Sequence, residues 1–243
     1  MKRAVVLAGG QGARLRPYTT VLPKPLMPVG DRPILDVVVR QLKEHGFDRV
    51  TIVTGHLAEL IEVFFGDGER YGIPIDYYRE DEPLGTVGAL ALLDGLDQDF
   101  LVMNGDVLTD FSYSDLLTSH SASGAAASIA AHKREVQVSL GVLEFGAADD
   151  DGRLTGYVEK PTYDYEVSMG VYAFSPRVLA YIEPDTRLDF PDLVLRLLDR
   201  GETVRAVRSE DYWLDIGRHD DYETAMDEFG KMRNRFLPEL SAE

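Results

Sequence analysis

Within its first thirty residues the chain places Gly9, Gly10 and Gly12, then Arg14 and Arg16, then Lys24 between Pro23 and Pro25. Glycines directly after the apolar run from Ala4 to Ala8 permit tight turns and let backbone N–H groups face phosphate oxygens. A lysine framed by prolines sits on a stiff segment, so less entropy is lost when it meets developing negative charge. The familiar nucleotide-loop patterns do not fit. The run reads G-G-x-G-x-R rather than G-x-G-x-x-G, and Gly12-Ala13-Arg14 lacks the terminal G-K-[ST] of an ATP loop. The stretch therefore reads as a phosphate site of another kind, or as a structural turn beside surface arginines.

The acidic candidates lie far downstream. Asp106 ends an N-G-D turn after the apolar run Leu101 to Met103, and Asp215 closes the apolar part of Y-W-L-D-I-G. Ligands of open α/β sheets gather at such strand ends. Two carboxylates there suit a hard divalent cation completed by phosphate oxygens, although plain turn aspartates would look the same. Glu159-Lys160-Pro161 again pins a charged pair with proline: a second phosphate contact and a hydroxyl acceptor, or a surface ion pair. Gly141 and Gly170 fall inside strand-like runs, marking either close approach of a ligand or bulges. His45, His56, His120, His132 and His219 show no ligand spacing, and there is neither an H-E-x-x-H nor a G-x-S-x-G pattern. Phosphoryl or nucleotidyl transfer is the chemistry that needs only positioning, charge neutralisation and a metal.

Composition narrows the partners. Of 243 residues, 25 are Lys or Arg and 42 are Asp or Glu, a net charge of −17. That balance argues against nucleic acid or an anionic membrane as partner while leaving room for a local basic loop. With no cysteine there is no disulfide and no thiolate metal site. The opening MKRAVVLAGG is too short in apolar residues for a signal segment, and no stretch nears the roughly 18 apolar residues of a membrane helix. A cytoplasmic protein is the expectation.

The elements that must position these residues alternate. The spacing predicts strands at 4–8, 49–54, 75–78 and 100–103, and helices at 33–44, 58–65 and 85–96. Such alternation predicts βαβ units on a mostly parallel mixed sheet. Beyond residue 106 it predicts a helix at 112–123, strands at 125–131, 138–144 and 167–174, and an acidic turn at 146–156. Helices follow at 176–182 and 192–200, a strand at 204–208 and a final helix at 218–236. The expected organisation is one domain over residues 1–230, with a first half up to about 110 and a second from about 111, then a tail over 231–243; the resemblance given next implies that these are the nucleotide half and the sugar-phosphate half.

Taken in order, these runs resemble the sugar-1-phosphate nucleotidylyltransferases. GGQGARLRPYT (Gly9 to Thr19), PKPLMPV (Pro23 to Val29), EPLGTVGAL (Glu82 to Leu90), NGD, EKP and WLDIG (Trp213 to Gly217) carry the likeness. The resemblance implies a Rossmann-like α/β/α fold and an enzyme joining a nucleoside triphosphate to a sugar 1-phosphate with release of pyrophosphate. It implies that Leu7, Ala8, Gly9, Gly10, Gly12, Glu80 and Gly85 line the nucleotide, with Arg14 on the triphosphate and Lys24 on the α-phosphate. Asp106 and Asp215 would bind Mg²⁺, and Asn104, Gly141, Glu159, Lys160, Ser168 and Gly170 would hold the sugar phosphate. The E-P-L-G-T run resembles guanylyltransferases acting on mannose or heptose 1-phosphate. The G-L-A-Q-A stretch of thymidylyltransferases is missing, and Val167-Ser168-Met169-Gly170 replaces the common N-A-G of the sugar pocket. UTP- or dTTP-dependent transfer to glucose 1-phosphate is the alternative. Rival classes are a non-catalytic sensing subunit, expected to have lost Lys24 or a metal aspartate, and a glycosyltransferase using Asp149-Asp150-Asp151. The resemblance includes no β-helix extension after residue 228 and leaves a homodimer as the expected assembly.

Overall fold

The computed structural model describes residues 1–146 and 152–237. Its elements are β1 (Arg3–Ala8), β2 (Pro28–Val29), β3 (Arg32–Pro33), α1 (Ile34–Glu44), β4 (Arg49–Thr54), α2 (Ala58–Phe65), β5 (Ile75–Arg79), β6 (Phe100–Asn104), β7 (Val107–Thr109) and α3 (Tyr113–Ser123). After these come β8 (Ala127–Gln137), β9 (Val142–Phe145), β10 (Leu154–Val158), β11 (Thr162–Phe174), α4 (Phe190–Asp199), β12 (Val204–Ser209), β13 (Trp213–Asp215) and α5 (His219–Phe236). Seven strands form one sheet in the order β12-β8-β11-β6-β1-β4-β5. β1 pairs in parallel with β4 and β6, β4 with β5 and β12 with β8, whereas β11 runs antiparallel to both β6 and β8. The sheet is thus mixed and mostly parallel.

Alternation along the strands builds two cores. Ala4, Val6 and Ala8 of β1, Leu101 and Met103 of β6, and Val171 and Ala173 of β11 face one way, against Leu35, Val38 and Leu42 of α1, Phe65 of α2 and Leu116 of α3. Val5, Phe100, Val102, Tyr172 and Phe174 face the other way, against Leu193 and Leu197 of α4. Each fully buried Leu, Ile or Phe contributes about 1.5–3 kcal/mol, so both helical layers are held chiefly by this pattern. Local signals fix the ends. Ser112 accepts from the Asp115 N–H to cap α3, and Gly124, at φ 65°, closes it. A third cluster joins Leu15, Met27, Ile34 and Leu108 to Ala225, Phe229, Phe236 and Leu237. α5 therefore continues past residue 230 as packed helix, in keeping with the helix predicted over 218–236; residues 238–243 lie outside the described residues.

Four element expectations are corrected. Residues 85–96 contain only a short 3-10 turn, Gly88–Leu92. Backbone groups here are spent sideways, the Val87 N–H on Leu188 O at 3.1 Å and the Leu188 N–H on Leu84 O at 2.9 Å. Residues 176–182 likewise form a 3-10 turn rather than an α-helix. The strand expected at 138–144 is broken: β8 runs on to Gln137 and β9 starts at Val142, so Gly141 is outside a strand. Its position is dictated by the Tyr157 ring, which occupies the space a Cβ would need. The expected acidic turn gives way to β10 at Leu154, and Asp149, Asp150 and Asp151 lie outside the described residues.

Candidate active site

The glycine loop follows β1 at the carboxyl end of the parallel strands. Gly12 is left-handed at φ 60°, and a Cβ there would sit 2.8 Å from the Thr19 methyl group, so only glycine fits without strain. The Thr19 hydroxyl donates to the Gly12 carbonyl at 2.8 Å and locks that turn. Gly9 is packed against Glu80, whereas Gly10 faces open space. Lys24 opens a 3-10 turn, Lys24–Leu26, with Pro25 inside it and Pro23 ahead of it. Its stem is largely buried, and its ammonium pairs with Asp106 Oδ2.

The two aspartates meet through strand pairing. β13 runs antiparallel to β7 with Asp215 opposite Val107, and the Ile216 N–H donates to the Asp106 carbonyl at 3.3 Å. Asp106 Oδ1 is buried and has no hydrogen-bond partner among the described residues. Desolvation first, and the Asp106 carboxylate second, push the Asp215 carboxyl above its ordinary value, while Lys24 and Arg14 pull against them. Two close carboxylates, one with an orphaned buried oxygen, fit a hard divalent cation. Among the described residues no third His, Cys, Asp or Glu joins them. That scarcity matches Mg²⁺, which is commonly held by one or two carboxylates plus phosphate and water.

Three concavities adjoin in a row. The first, about 300 Å³, is lined by Leu7, Ala8, Gly9, Gly10, Lys24, Glu80, Gly85, Asn104 and Asp106. The second, about 270 Å³, shares Gly10, Lys24 and Asp106 with it and adds Gly12, Arg14 and Gly217. The third, about 480 Å³, shares Arg14 and Gly217 with the second and adds Asp215, His132, Arg134, Trp213 and Arg218. Lys24 and Arg14 thus line this row beside Asp106 and Asp215, so cationic and anionic groups alternate along it. Glu80 receives the Leu84 N–H at 3.1 Å, and burial raises its carboxyl against that bond.

The remaining sequence candidates sit differently. A Cβ on Gly170, at φ 73°, would lie 2.7 Å from Asn104 Nδ2; this is the register shift of β11 between Ser168 and Tyr172, so the glycine marks a bulge. Ser168 accepts from the Gly170 N–H at 3.3 Å and donates to Tyr172. Gly141 packs on Tyr157, whose hydroxyl donates to Glu159 at 2.9 Å. Lys160 is exposed and left-handed at φ 47°. Gly141, Glu159 and Lys160 thus gather beyond the sheet, on the β9–β10 side, apart from the Lys24–Asp106–Asp215 cluster.

Sequence reasoning missed four residues at this site. Thr86 and Asp189 line the first concavity and hold each other's backbone, with Asp189 accepting from the Thr86 N–H and Thr86 from the Phe190 N–H. His132 lines the third, its ring 5.7 Å from that of Trp213. Tyr172 has its hydroxyl raised by burial and, more weakly, by Asp215 and Asp106. Thr86 was inside a quoted motif; the other three carry no local signal, because topology alone brings them in.

Fold and site together define an α/β domain with a lysine–carboxylate centre at the strand ends. The nucleotidyl transferase family matches residues 3–231, and the chain belongs to it. A Synechocystis protein named UTP–glucose-1-phosphate uridylyltransferase is 34% identical over 240 residues, covering 90% of this chain and 61% of the relative. The Danio rerio mannose-1-phosphate guanylyltransferase catalytic subunit beta is 34% identical over 231 residues, covering 92% and 63%. The chain therefore spans about three fifths of the length of these curated relatives. The crystal structure of HddC from Yersinia pseudotuberculosis superimposes with a TM-score of 0.71 at 25% identity, covering 94% of this chain and all of that one.

Proposed function

We propose that the chain is a nucleotidylyltransferase that joins a nucleoside triphosphate to a sugar 1-phosphate, giving a nucleoside-diphosphate sugar and pyrophosphate. The observation that carries this reading is the Lys24–Asp106–Asp215 centre, with its orphaned carboxylate oxygen, set between a glycine-lined cleft and an arginine-lined one. A sugar phosphate oxygen is already anionic, so no general base is required. The task is to bring two repelling anions into line. Backbone N–H groups of the glycine loop and Arg14 hold the triphosphate, and Lys24 neutralises charge gathering at the α-phosphate. Bound Mg²⁺, held by Asp106 and Asp215, would supply Lewis-acid neutralisation of the phosphates. Glu159, Lys160, Gly141, Ser168, Gly170 and Asn104 serve the acceptor in this reading. The presence of Lys24, Asp106, Lys160 and Asp215 argues against a purely sensing role.

GTP and mannose 1-phosphate, or a related hexose or heptose phosphate, are the preferred pair. Pro83, Gly85 and Thr86 of the E-P-L-G-T run line the nucleotide cleft, and the Danio rerio relative carries that activity in its name. The Synechocystis relative, equally similar, supports the second reading of UTP with glucose 1-phosphate. Pyrophosphate release with Mg²⁺, measured across ATP, CTP, GTP, UTP and dTTP with each sugar phosphate, tests both. Release with GTP and mannose 1-phosphate is expected; release only with UTP or dTTP and glucose 1-phosphate replaces the pair, and release with none rejects the reaction.

A further inference from the structure

The third concavity holds charge that the proposed reaction does not use. Most arginines of the chain are engaged by carboxylates or carbonyls, as Arg3 and Arg49 are by Asp76, Arg177 by Glu202 and Arg205 by the Ser119 carbonyl. Arg14, Arg134 and Arg218 have no ion pair or side-chain hydrogen bond among the described residues, and all three line this one concavity. Nδ1 of His132, on the same wall, is shielded from solvent and likewise has no partner among the described residues. Like charges that face one space repel each other until an anion joins them, and in a chain of net charge −17 such a place stands out.

Strand alternation puts these groups there. Along β8, His132 and Arg134 share one face, and Lys133 and Glu135 the other. Lys133 is engaged by Asp164 at 2.9 Å. The face of Arg134 is turned to β13, because the His132 ring lies 5.7 Å from that of Trp213. Arg218 arrives from the opposite side: β13 ends at Asp215, and Arg218 is the extended residue just ahead of α5. Glu135 and Asp221 border the space as well, but neither pairs with either arginine among the described residues.

The neighbours show whose anion this is. β11 lies beside β8 with Val167 opposite His132 and Ser168 opposite Ala131, and the Trp213 indole N–H donates to the Met169 carbonyl at 2.9 Å. The wall therefore adjoins Ser168 and Gly170, which serve the acceptor in the reading above. Past Gln137 and Thr162 the same strand pair continues as the two-stranded β9–β10 ribbon that carries Lys160. Asp215 borders this concavity and Asp106 the other two, so the aspartate pair separates it from the nucleotide side. In the proposed reaction Lys24 and Arg14 meet the triphosphate and Lys160 the acceptor's 1-phosphate, which leaves Arg134 and Arg218 over. Resting on that function, we propose that the preferred acceptor is a sugar 1-phosphate with a second anionic group, a carboxylate or a further phosphate, which Arg134 and Arg218 bind in the third concavity. A guanidinium fork donates two parallel N–H bonds to either group. The space, about 480 Å³, is of the size of small-ligand clefts.

The test compares paired acceptors with the nucleotide that the chain uses best: mannose 1,6-bisphosphate against mannose 1-phosphate, and glucuronic acid 1-phosphate against glucose 1-phosphate. In at least one pair the anionic member is expected to show a kcat/KM about tenfold higher. Added salt should shrink that ratio, because both arginines are exposed. Arg134→Gln and Arg218→Gln should each bring the ratio towards one, with circular dichroism showing that the variants are folded. Arg200→Gln, which alters an exposed arginine at the end of α4, should keep it. Ratios at or below one in both pairs overturn the proposal, as does a ratio that survives both substitutions. A raised nucleotide KM in Arg134→Gln with the ratio intact assigns the arginines to the triphosphate and overturns it too. Failure of the reaction itself reads differently. If the wild type releases no pyrophosphate with any pair, titration calorimetry of the four acceptors decides the anion site alone. Tighter binding of an anionic member, weakened in Arg134→Gln, upholds the site; equal binding overturns it.

Discussion

The centre around Lys24 and the ribbon that carries Lys160 offer the same residue type on opposite kinds of support. Lys24 stands on a proline-stiffened turn whose Pro25 and Leu26 are buried, and its ammonium is fixed on Asp106. Lys160 stands on an exposed segment between β10 and β11, in a strained left-handed conformation, with solvent around β10 and the first half of β11. Side chains held by packed sheet ends are placed before any ligand arrives, so they can spend binding energy on the reaction itself. Side chains on a bare ribbon must be ordered when the ligand binds, and their effect falls mainly on affinity.

The largest consequence of that contrast is Lys24→Met, which is expected to lower kcat for pyrophosphate release about 10²- to 10³-fold with little change in thermal midpoint. A comparable fall on removing Lys160 would erase the distinction between the two supports. Next is Gly12→Ala. Its left-handed backbone and the Thr19 methyl group make the change cost about 1–3 kcal/mol in urea unfolding, whereas Gly10→Ala, facing open space, should stay within about 0.5 kcal/mol. Equal losses at both positions would show that the loop's shape is not what demands glycine. Lys160→Ala is expected to raise the acceptor KM about tenfold with the nucleotide KM unchanged, read from initial rates at varied concentrations of each substrate.

The smallest effect concerns the sheet-anchored half alone. His45 is held below its ordinary value of 6.5, mainly by burial, with its Nδ1 accepting the Tyr113 N–H at 3.2 Å. A group depressed in the fold takes up protons later than in the unfolded chain. Its stabilising share is therefore complete above pH 6.5 and is lost as pH falls through the lower folded value. Urea unfolding from pH 7.5 to 5 should show stability dropping, and His45→Gln should flatten that drop; identical slopes would remove His45 as its source.

The parallel half was legible in the sequence because its signals are local. The runs at Ala4, Arg49, Ala58 and Phe100 lie within a residue of β1, β4, α2 and β6, each being a buried apolar stretch or a regular helical stripe. The glycine loop, Lys24 and Asp106 were readable for the same reason: unusual residue types directly follow those strands. The ribbon was poorly legible, since the outer half of β8, most of β10 and the first half of β11 are exposed and give no alternation of buried with exposed residues. The helix expected over 85–96 failed for another reason, which lies in Gly85 and Gly88. A Cβ on either would strike the backbone of residues 186–188, a contact that no local pattern announces. Asp189 and Tyr172 entered the site by the same long-range route.

The bonds between Thr86 and Asp189 also bear on how the molecule is made. The rim of the first concavity joins segments 103 residues apart in the chain, and β6 has its second neighbour only when β11 arrives. As a ribosome delivers the polypeptide, the glycine loop and Asp106 emerge first, beside an open sheet edge. The pocket can close only after α4 has followed, some 80 residues later. Nascent chains halted near residue 110 should therefore be sensitive to protease and, on the proposed function, blind to nucleotide, and those long enough to free α4 should become protease-resistant and nucleotide-binding together.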